Sequence, residues 1–433
     1  MGFANETIQF QSNPSTHAVL SFECRMYAPT YSREAVYLVR IFVGILRDHS
    51  LGLAAIRQFL RSRSHREACM TPRRISYDAR LAIEPFRGMG KYLRTLIAHR
   101  KEALMGFCAT GESSESLSLI AEGARFYPAW EQYSLPKQVA RFGSDVFIAP
   151  YNTAPLRLRS GVRLVLIVHD LIFLEPAPLS PSLYQNIGRV YRRLVVPRAI
   201  HKAKIILTVS EYTKSQIVKR FNLSPDRIRV IPCSLGPEWF DNGDSDIQKD
   251  NAILMVSGEA PSKNLRRGIE AFTRLAKFRQ DSQLGLHVVG VKPHFHNSFK
   301  RLAEKLGVAS RVEFYGYLSD QALRDLYRKA KLLFMPSLLE GFGIPALEAM
   351  AMRVPLVLSR AGSLPEVGGD AAVYFDPYSS EEMAQMMNRI LDDDLTAREL
   401  SDHGERRVQS FAETAVRPMI DEFWDMIDRD VLR

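Results

Sequence analysis

The chain has 433 residues, 46% of them hydrophobic and 24% charged, with a formal net charge of +10 at pH 7. Such a composition excludes a disordered or fibrous protein and supplies apolar material for two or three domains. The basic balance favours anionic partners without choosing among nucleotides, nucleic acid and anionic lipid. Four scattered cysteines, Cys24, Cys69, Cys108 and Cys233, form no Cys-x-x-Cys pair, which argues against a disulfide scaffold and a zinc or redox motif and for a reduced, cytoplasmic protein. No apolar run approaches the roughly 18 residues of a membrane span. The polar opening, MGFANETIQFQSNPST, does not read as a signal peptide.

Residues 1–70 form a first part. Arg33, Arg40 and Arg47 recur every seventh residue, followed by Arg57 and Arg61, while Gly44, Gly52 and the Asp48-His49-Ser50 break divide the stretch into two short helices, the second capped by Ser50. A basic amphipathic helix suits peripheral contact at an anionic membrane; the same face equally suits packing against the next domain. Met70, directly before TPRRISYDARL, is an alternative translation start, which would make the extension an artefact.

From 71 to 240 short apolar runs alternate with amphipathic stretches. RISYDARLAI, VFIAP, RLVLIVHDLIFL, KIILTVS and IRVIPCSLG read as strands, with helices through GKYLRTLIAHRKEAL and SEYTKSQIVKRF, the latter capped by Ser210. Residues 241–250, DNGDSDIQKD, read as a linker. The alternation restarts over 251–410 with NAILMVSGEA, LGLHVVGVK, RVEFYGYL, KLLFMPS, VPLVLSRAGS and AAVYFDP, and residues 411–433 form a closing amphipathic helix. Strands alternating with helices imply βαβ units, hence an α/β fold of two doubly wound, Rossmann-like domains. Ligands of such sheets bind beyond the carboxyl ends of the strands, so the active site is expected in the cleft between the halves.

The segment FMPSLLEGFGIPALEAMA places a tight loop, Glu340-Gly341-Phe342-Gly343, between a strand and a helix beginning near Pro345. Glycines beside a helix start let backbone amides approach an anionic group such as a diphosphate. Glu340 and Glu348 would not stack if both were helical, because eight residues overshoot two turns by about 80°; they address different parts of a ligand, unless both are simply solvated acids favoured by the helix dipole. His287, His294 and His296 lack acidic or cysteine partners at metal-ligand spacing, so no metal site is expected. The run RVYRRLVVPRAIHKAKI, with Arg189, Arg192, Arg193, Arg198, Lys202 and Lys204, is read either as a membrane-facing stripe or as a solvated helix face.

These segments together resemble the retaining glycosyltransferases of family 4, which have the two-domain GT-B fold. The resemblance runs from about residue 72 to the end and is carried by the Glu340–Glu348 loop, by VSGEAPSKNLRRGIEAF with Lys263 and Asn264, by VHDLIFLEPAPLS with His169 and Asp170, and by RISYDARLAIEPFRGMGKYLRTLI. Residues 1–70 have no counterpart in it. It implies that the closing helix crosses back to the first domain. It also implies that Glu340 faces the donor sugar, that Glu348 binds the ribose, and that Gly341, Phe342, Gly343 and Ile344 lie along the sugar and diphosphate. Lys263 would neutralise that diphosphate, Gly88, Gly90 and Gly258 would let the chain pass close to it, His169 would touch the sugar from the first domain, and Asp170 would face the acceptor. An arginine common near the Lys-Asn pair is missing, and Arg266 or Arg267 is the expected substitute. The implied reaction moves a sugar from a nucleotide-diphosphate sugar, with mannose from GDP-mannose as the first candidate, to a hydroxyl of a glycan or lipid-linked oligosaccharide in surface-polysaccharide synthesis. No metal or cofactor is implied. Front-face attack assisted by the leaving phosphate makes Glu340 a stabiliser, unlike the nucleophilic carboxylate of a double-displacement enzyme. A nucleotide-sugar epimerase of the same architecture and a non-enzymatic basic protein binding membrane or nucleic acid are the alternatives. No nucleic-acid-binding motif accompanies the charge.

Overall fold

A computed structural model describes residues 73–83, 88–175, 183–240, 249–279 and 283–429. The chain divides after Thr71, and all described residues belong to the second unit. The arginines and the Ser50 cap expected in residues 1–70, and the linker up to residue 248, lie outside the described residues.

Among the described residues, two parallel sheets account for the strands. The first has the order β3-β2-β1-β4-β5-β6-β7, built from β1 (Ile75–Asp78), β2 (Leu104–Cys108), β3 (Leu119–Ala121), β4 (Val146–Ala149), β5 (Arg163–Val168), β6 (Ile205–Thr208) and β7 (Ile228–Val230). The second runs β10-β9-β8-β11-β12-β13, from β8 (Ala252–Val256), β9 (Gly285–Val289), β10 (Val312–Tyr315), β11 (Leu332–Met335), β12 (Leu356–Ser359) and β13 (Ala372–Phe375). Parallel strands require crossovers, and helices on both faces bury their apolar residues. Leu164 to Val168 of β5 and all of β11 are buried accordingly. In both sheets the strand order reverses beside the first strand, which leaves a crevice at the carboxyl ends.

The strands stop where side chains take over the backbone amides. β1 ends at Asp78, short of the expected Ile83, because the Asp78 carboxylate accepts from Arg80 N at 3.1 Å. β5 ends before His169, where Asn152 Oδ1 accepts from His169 N at 2.6 Å and Asp170 Oδ1 from Ile172 N at 3.0 Å. The strand expected to continue through Leu174 therefore becomes a turn. Helix α4 (Glu211–Phe221) is capped by Ser210, whose hydroxyl accepts from Thr213 N at 3.1 Å.

Helix α1 (Gly88–Ile97) enters the crevice of the first lobe. The closing helix α12 (Glu413–Asp428) returns from the second lobe to pack on it. Leu235 donates to Phe411 O and accepts from Glu413 N, both at 3.0 Å. The buried Trp424 donates through Nε1 to Leu96 O at 2.9 Å, and Arg100 pairs with Asp428 at 2.7 Å. One apolar core consequently runs through both lobes, joining Tyr92, Leu235 and Trp239 to Tyr327, Leu347 and Trp424.

Candidate active site in the interlobe cleft

Glu340 sits on the loop after β11, only 8% exposed. Its Oε1 accepts from Lys263 Nζ at 2.7 Å and from Ser337 Oγ at 2.6 Å. Ser337 is itself held by Ser359, which donates to its carbonyl at 2.6 Å. From below, Ser363 donates to the Glu340 carbonyl through both N and Oγ at 3.2 Å, and through Oγ to Phe342 O at 2.8 Å. The loop is thus fixed at its side chain and along its backbone. Helix α8 (Ile344–Ala351) follows, with Gly343 at φ +106° and Pro345 in the first turn, where proline's missing amide costs nothing.

Lys263 reaches this carboxylate from the turn between β8 and helix α5 (Leu265–Phe278). Asn264 takes the left-handed conformation, φ +54°. Its Nδ2 donates to Pro336 O at 2.9 Å and to Pro377 O at 2.8 Å, so the lysine turn and the glutamate loop share one anchor. Gly258 lies at the end of β8, and a Cβ there would stand 4.0 Å from Gly290 O. Next to it, the shielded Ser257 hydroxyl has no hydrogen-bond partner among the described residues. Arg267, the expected substitute for the missing arginine, lies in the first turn of α5. Its guanidinium donates to Asn264 Oδ1 at 2.9 Å and lies 5.5 Å from the Tyr378 ring centre, committed to the loop after β13. Arg266 is exposed on α5.

The first lobe meets the glutamate loop directly. A Cβ on Gly341 would fall 2.2 Å from His169 O and 2.9 Å from Asp170 Cβ, so only glycine fits there. The Gly341 carbonyl accepts from Ser210 Oγ at 2.8 Å and from Thr213 Oγ1 at 3.4 Å. His169 is buried, with Nε2 2.8 Å from Pro150 O and its ring edge-on to Tyr92 at 5.2 Å. Burial pushes the imidazole below its usual range, against the opposing pull of the Pro150 carbonyl and of Asp170, so it is neutral at pH 7. Gly88 opens α1 beside Ile344, a Cβ on it lying 3.7 Å from Ile344 Cδ1, and Gly90 is buried within the same first turn.

Glu348 occupies the other end of the cleft. Tyr327, on helix α7 (Asp320–Lys329), donates its hydroxyl to Glu348 Oε2 at 2.8 Å. Burial raises the Glu348 carboxyl to about 7, opposed by the tyrosine hydrogen bond and Lys91. Lys91 of α1 crosses the cleft to Asp320 at 2.7 Å. Gly88, Lys91, Asp320, Ile344 and Glu348 share a cavity of about 300 Å³. Sequence reasoning missed Ser337, Ser363 and Tyr327. Ser337 alone carried a local signal, three residues before Glu340.

Two facing α/β lobes with a tight loop and a lysine at their cleft define the GT-B class of enzyme. The model of glycosyl transferases group 1 matches residues 238–407, and that of glycosyltransferase family 4 matches residues 96–238. The O-antigen chain mannosyltransferase RfbU of Salmonella typhimurium is 31% identical over 281 residues, covering 63% of this chain and 74% of that protein. MMP alpha-(1->4)-mannosyltransferase of Mycolicibacterium hassiacum is 34% identical over 205 residues. That match covers 47% of this chain and spans about half, 49%, of the relative's length. Among solved structures, sucrose-phosphate synthase from Thermosynechococcus elongatus matches with a TM-score of 0.65 at 19% identity, over 82% of this chain and 99% of that one. WaaG, a glycosyltransferase involved in lipopolysaccharide biosynthesis, gives 0.59 at 18% identity, over 80% and 99%. The chain belongs to the family 4 glycosyltransferases, and its architecture is GT-B.

The Gly341 contact yields a direct test. Gly341→Ala must separate the loop from His169 by an ångström or more, a displacement that costs turnover on the order of a hundredfold. A steady-state assay of the folded variant checks this; turnover within twofold of the parent removes the contact from the reaction.

Proposed function

We propose that the protein transfers a sugar from a nucleotide-diphosphate sugar to a hydroxyl of a glycan or lipid-linked oligosaccharide, with retention of anomeric configuration, and that the donor is GDP-mannose. The Lys263–Glu340 pair, held at 2.7 Å beside the glycine loop, carries this reading. The lysine ammonium would turn to the departing diphosphate and stabilise its developing charge. Glu340, fixed by Ser337 and by Lys263, would orient the sugar and offset positive charge at its anomeric carbon. Neutral His169 would hold the sugar from the first lobe, Glu348 would bind the ribose, and Asp170 would face the acceptor. Mannose is favoured because the curated relatives named above are mannosyltransferases.

A thermal-shift screen with GDP-, UDP- and dTDP-sugars tests the donor. GDP-mannose at about 100 times its dissociation constant should stabilise by about 2.7 kcal/mol; a shift with UDP- or dTDP-sugars alone overturns the GDP assignment. For the chemistry, Lys263→Ala and Glu340→Ala should each lower turnover at least about a hundredfold, the scale of one lost stabilising group. Full activity in either variant removes that residue from the mechanism. Dependence of turnover on an added acceptor separates transfer from epimerisation.

The acceptor side of this reading includes peripheral membrane contact. Among the described residues no helix is long and apolar enough to cross a membrane. Helix α3 (Leu183–Lys202) contains no acid. It exposes Ile187, Val190 and Leu194 along one face, with the exposed Arg198 one turn beyond Leu194 on the same face, which suits the surface of an anionic bilayer. Vesicles with about a third anionic lipid should carry the protein in flotation, Ile187→Glu with Leu194→Glu should release it, and neutral vesicles should not retain it. Equal retention of parent and variant removes α3 as the contact.

A further inference from the structure

Glu366 stands apart from every residue considered so far. It lies in the short helix α9 (Leu364–Gly368) of the second lobe, yet its carboxylate reaches the first. Oε1 accepts from Glu211 N at 2.8 Å and Oε2 from Tyr212 N at 2.9 Å. These are the first two amides of α4, the positive end of an eleven-residue helix. An anionic acceptor there makes charge-assisted hydrogen bonds, stronger than neutral ones.

The same turn of α4 grips the second lobe at another point. Ser210 and Thr213 hold the Gly341 carbonyl, as described above, while Ser210 also caps the helix. One helix start thus binds both the glutamate loop and α9. The carboxylate is aimed in advance. Arg407, on helix α11 (Asp394–Val408), donates to Glu366 O at 2.6 Å and to Val367 O at 2.7 Å. Ser363, three residues before Glu366, supports Glu340 and Phe342. Glu366 is therefore linked through few bonds to the residue facing the sugar, without entering the cleft's chemistry itself.

We propose that Glu366 is a positioning residue, the latch that holds the two lobes at the separation where His169 and Glu340 face one sugar. This rests on the glycosyltransferase reading for its catalytic consequence, but the latch itself is a statement about geometry. Loss of the carboxylate would leave water to satisfy the two α4 amides, and the lobes would sample wider separations.

Two measurements test it. The first needs no substrate. Spin labels at Lys137→Cys and Lys277→Cys, exposed helix positions on the two lobes, are placed in a background with Cys24→Ser and Cys69→Ser, leaving the buried Cys108 and Cys233 in place. Glu366→Ala should broaden the interlobe distance distribution towards longer values, and Glu366→Gln, which keeps one acceptor oxygen, should broaden it less. An unchanged distribution overturns the latch. The second is kinetic. Glu366→Ala should lower kcat about tenfold or more while the dissociation constant for GDP stays within twofold, with Glu366→Gln between. An unchanged kcat, or a parallel loss of kcat and GDP binding, overturns the positioning role. If the parent protein transfers no sugar from any nucleotide donor, the functional reading fails, and the distance measurement still decides the latch.

Discussion

The backbone of Gly341 lies against the carbonyl of His169 with no room for a methyl group between them, and much of the site follows from that closeness. Two independent sheets bring their strand ends together only if each contributes a loop without bulk at the seam. The second lobe does so with glycine. The first does so by ending β5 early, where Asn152 takes the His169 amide. The seam then sets where the neighbours can go: Ser210 and Thr213 reach the Gly341 carbonyl, and Glu340, one residue back, is turned towards Lys263. A side chain at this position would displace both the Glu340 carboxylate, which is the partner of Lys263, and the histidine.

The alternation of apolar runs with amphipathic stretches made the two α/β lobes legible, because buried parallel strands must be apolar on both faces. The tight loop before α8 was legible locally, because glycines followed by a proline in the first helical turn mark a helix start, while the parts given to Glu340 and Glu348 came from the family resemblance. What sequence did not disclose depends on distance in space. Spacing makes Arg267 the expected substitute for a missing arginine, but it does not disclose that the guanidinium meets Asn264 and Tyr378. Tyr327 gives no sign in sequence that it meets Glu348, twenty-one positions on.

The same holds for the acids inside the first lobe. Asp78 and Glu131 are almost wholly buried, and burial raises the Asp78 carboxyl to about 7. Glu131 is surrounded by the Tyr127 hydroxyl and the Gln132 amide at 2.9 and 3.0 Å, with Thr153 and Tyr191 completing its partners. Buried carboxylates persist when their oxygens are satisfied in this way. Trp130, beside Glu131, donates through Nε1 to Asp78 at 3.3 Å, so the knot joins the end of β1 and Thr153, just beyond β4, to Tyr191 of α3.

The return of α12 to the first lobe bears on how the molecule is made. Trp424 and Leu96 are separated by 328 positions, yet they close the same core. A ribosome delivers the first sheet long before it delivers the helix that covers α1, so that flank stays open to water through synthesis of the whole second lobe. Contacts of such long range form late because loop closure must precede them. The sixteen residues of α12 therefore act as a fastener that engages only once both lobes exist, and their loss would leave the first lobe with an uncovered apolar flank.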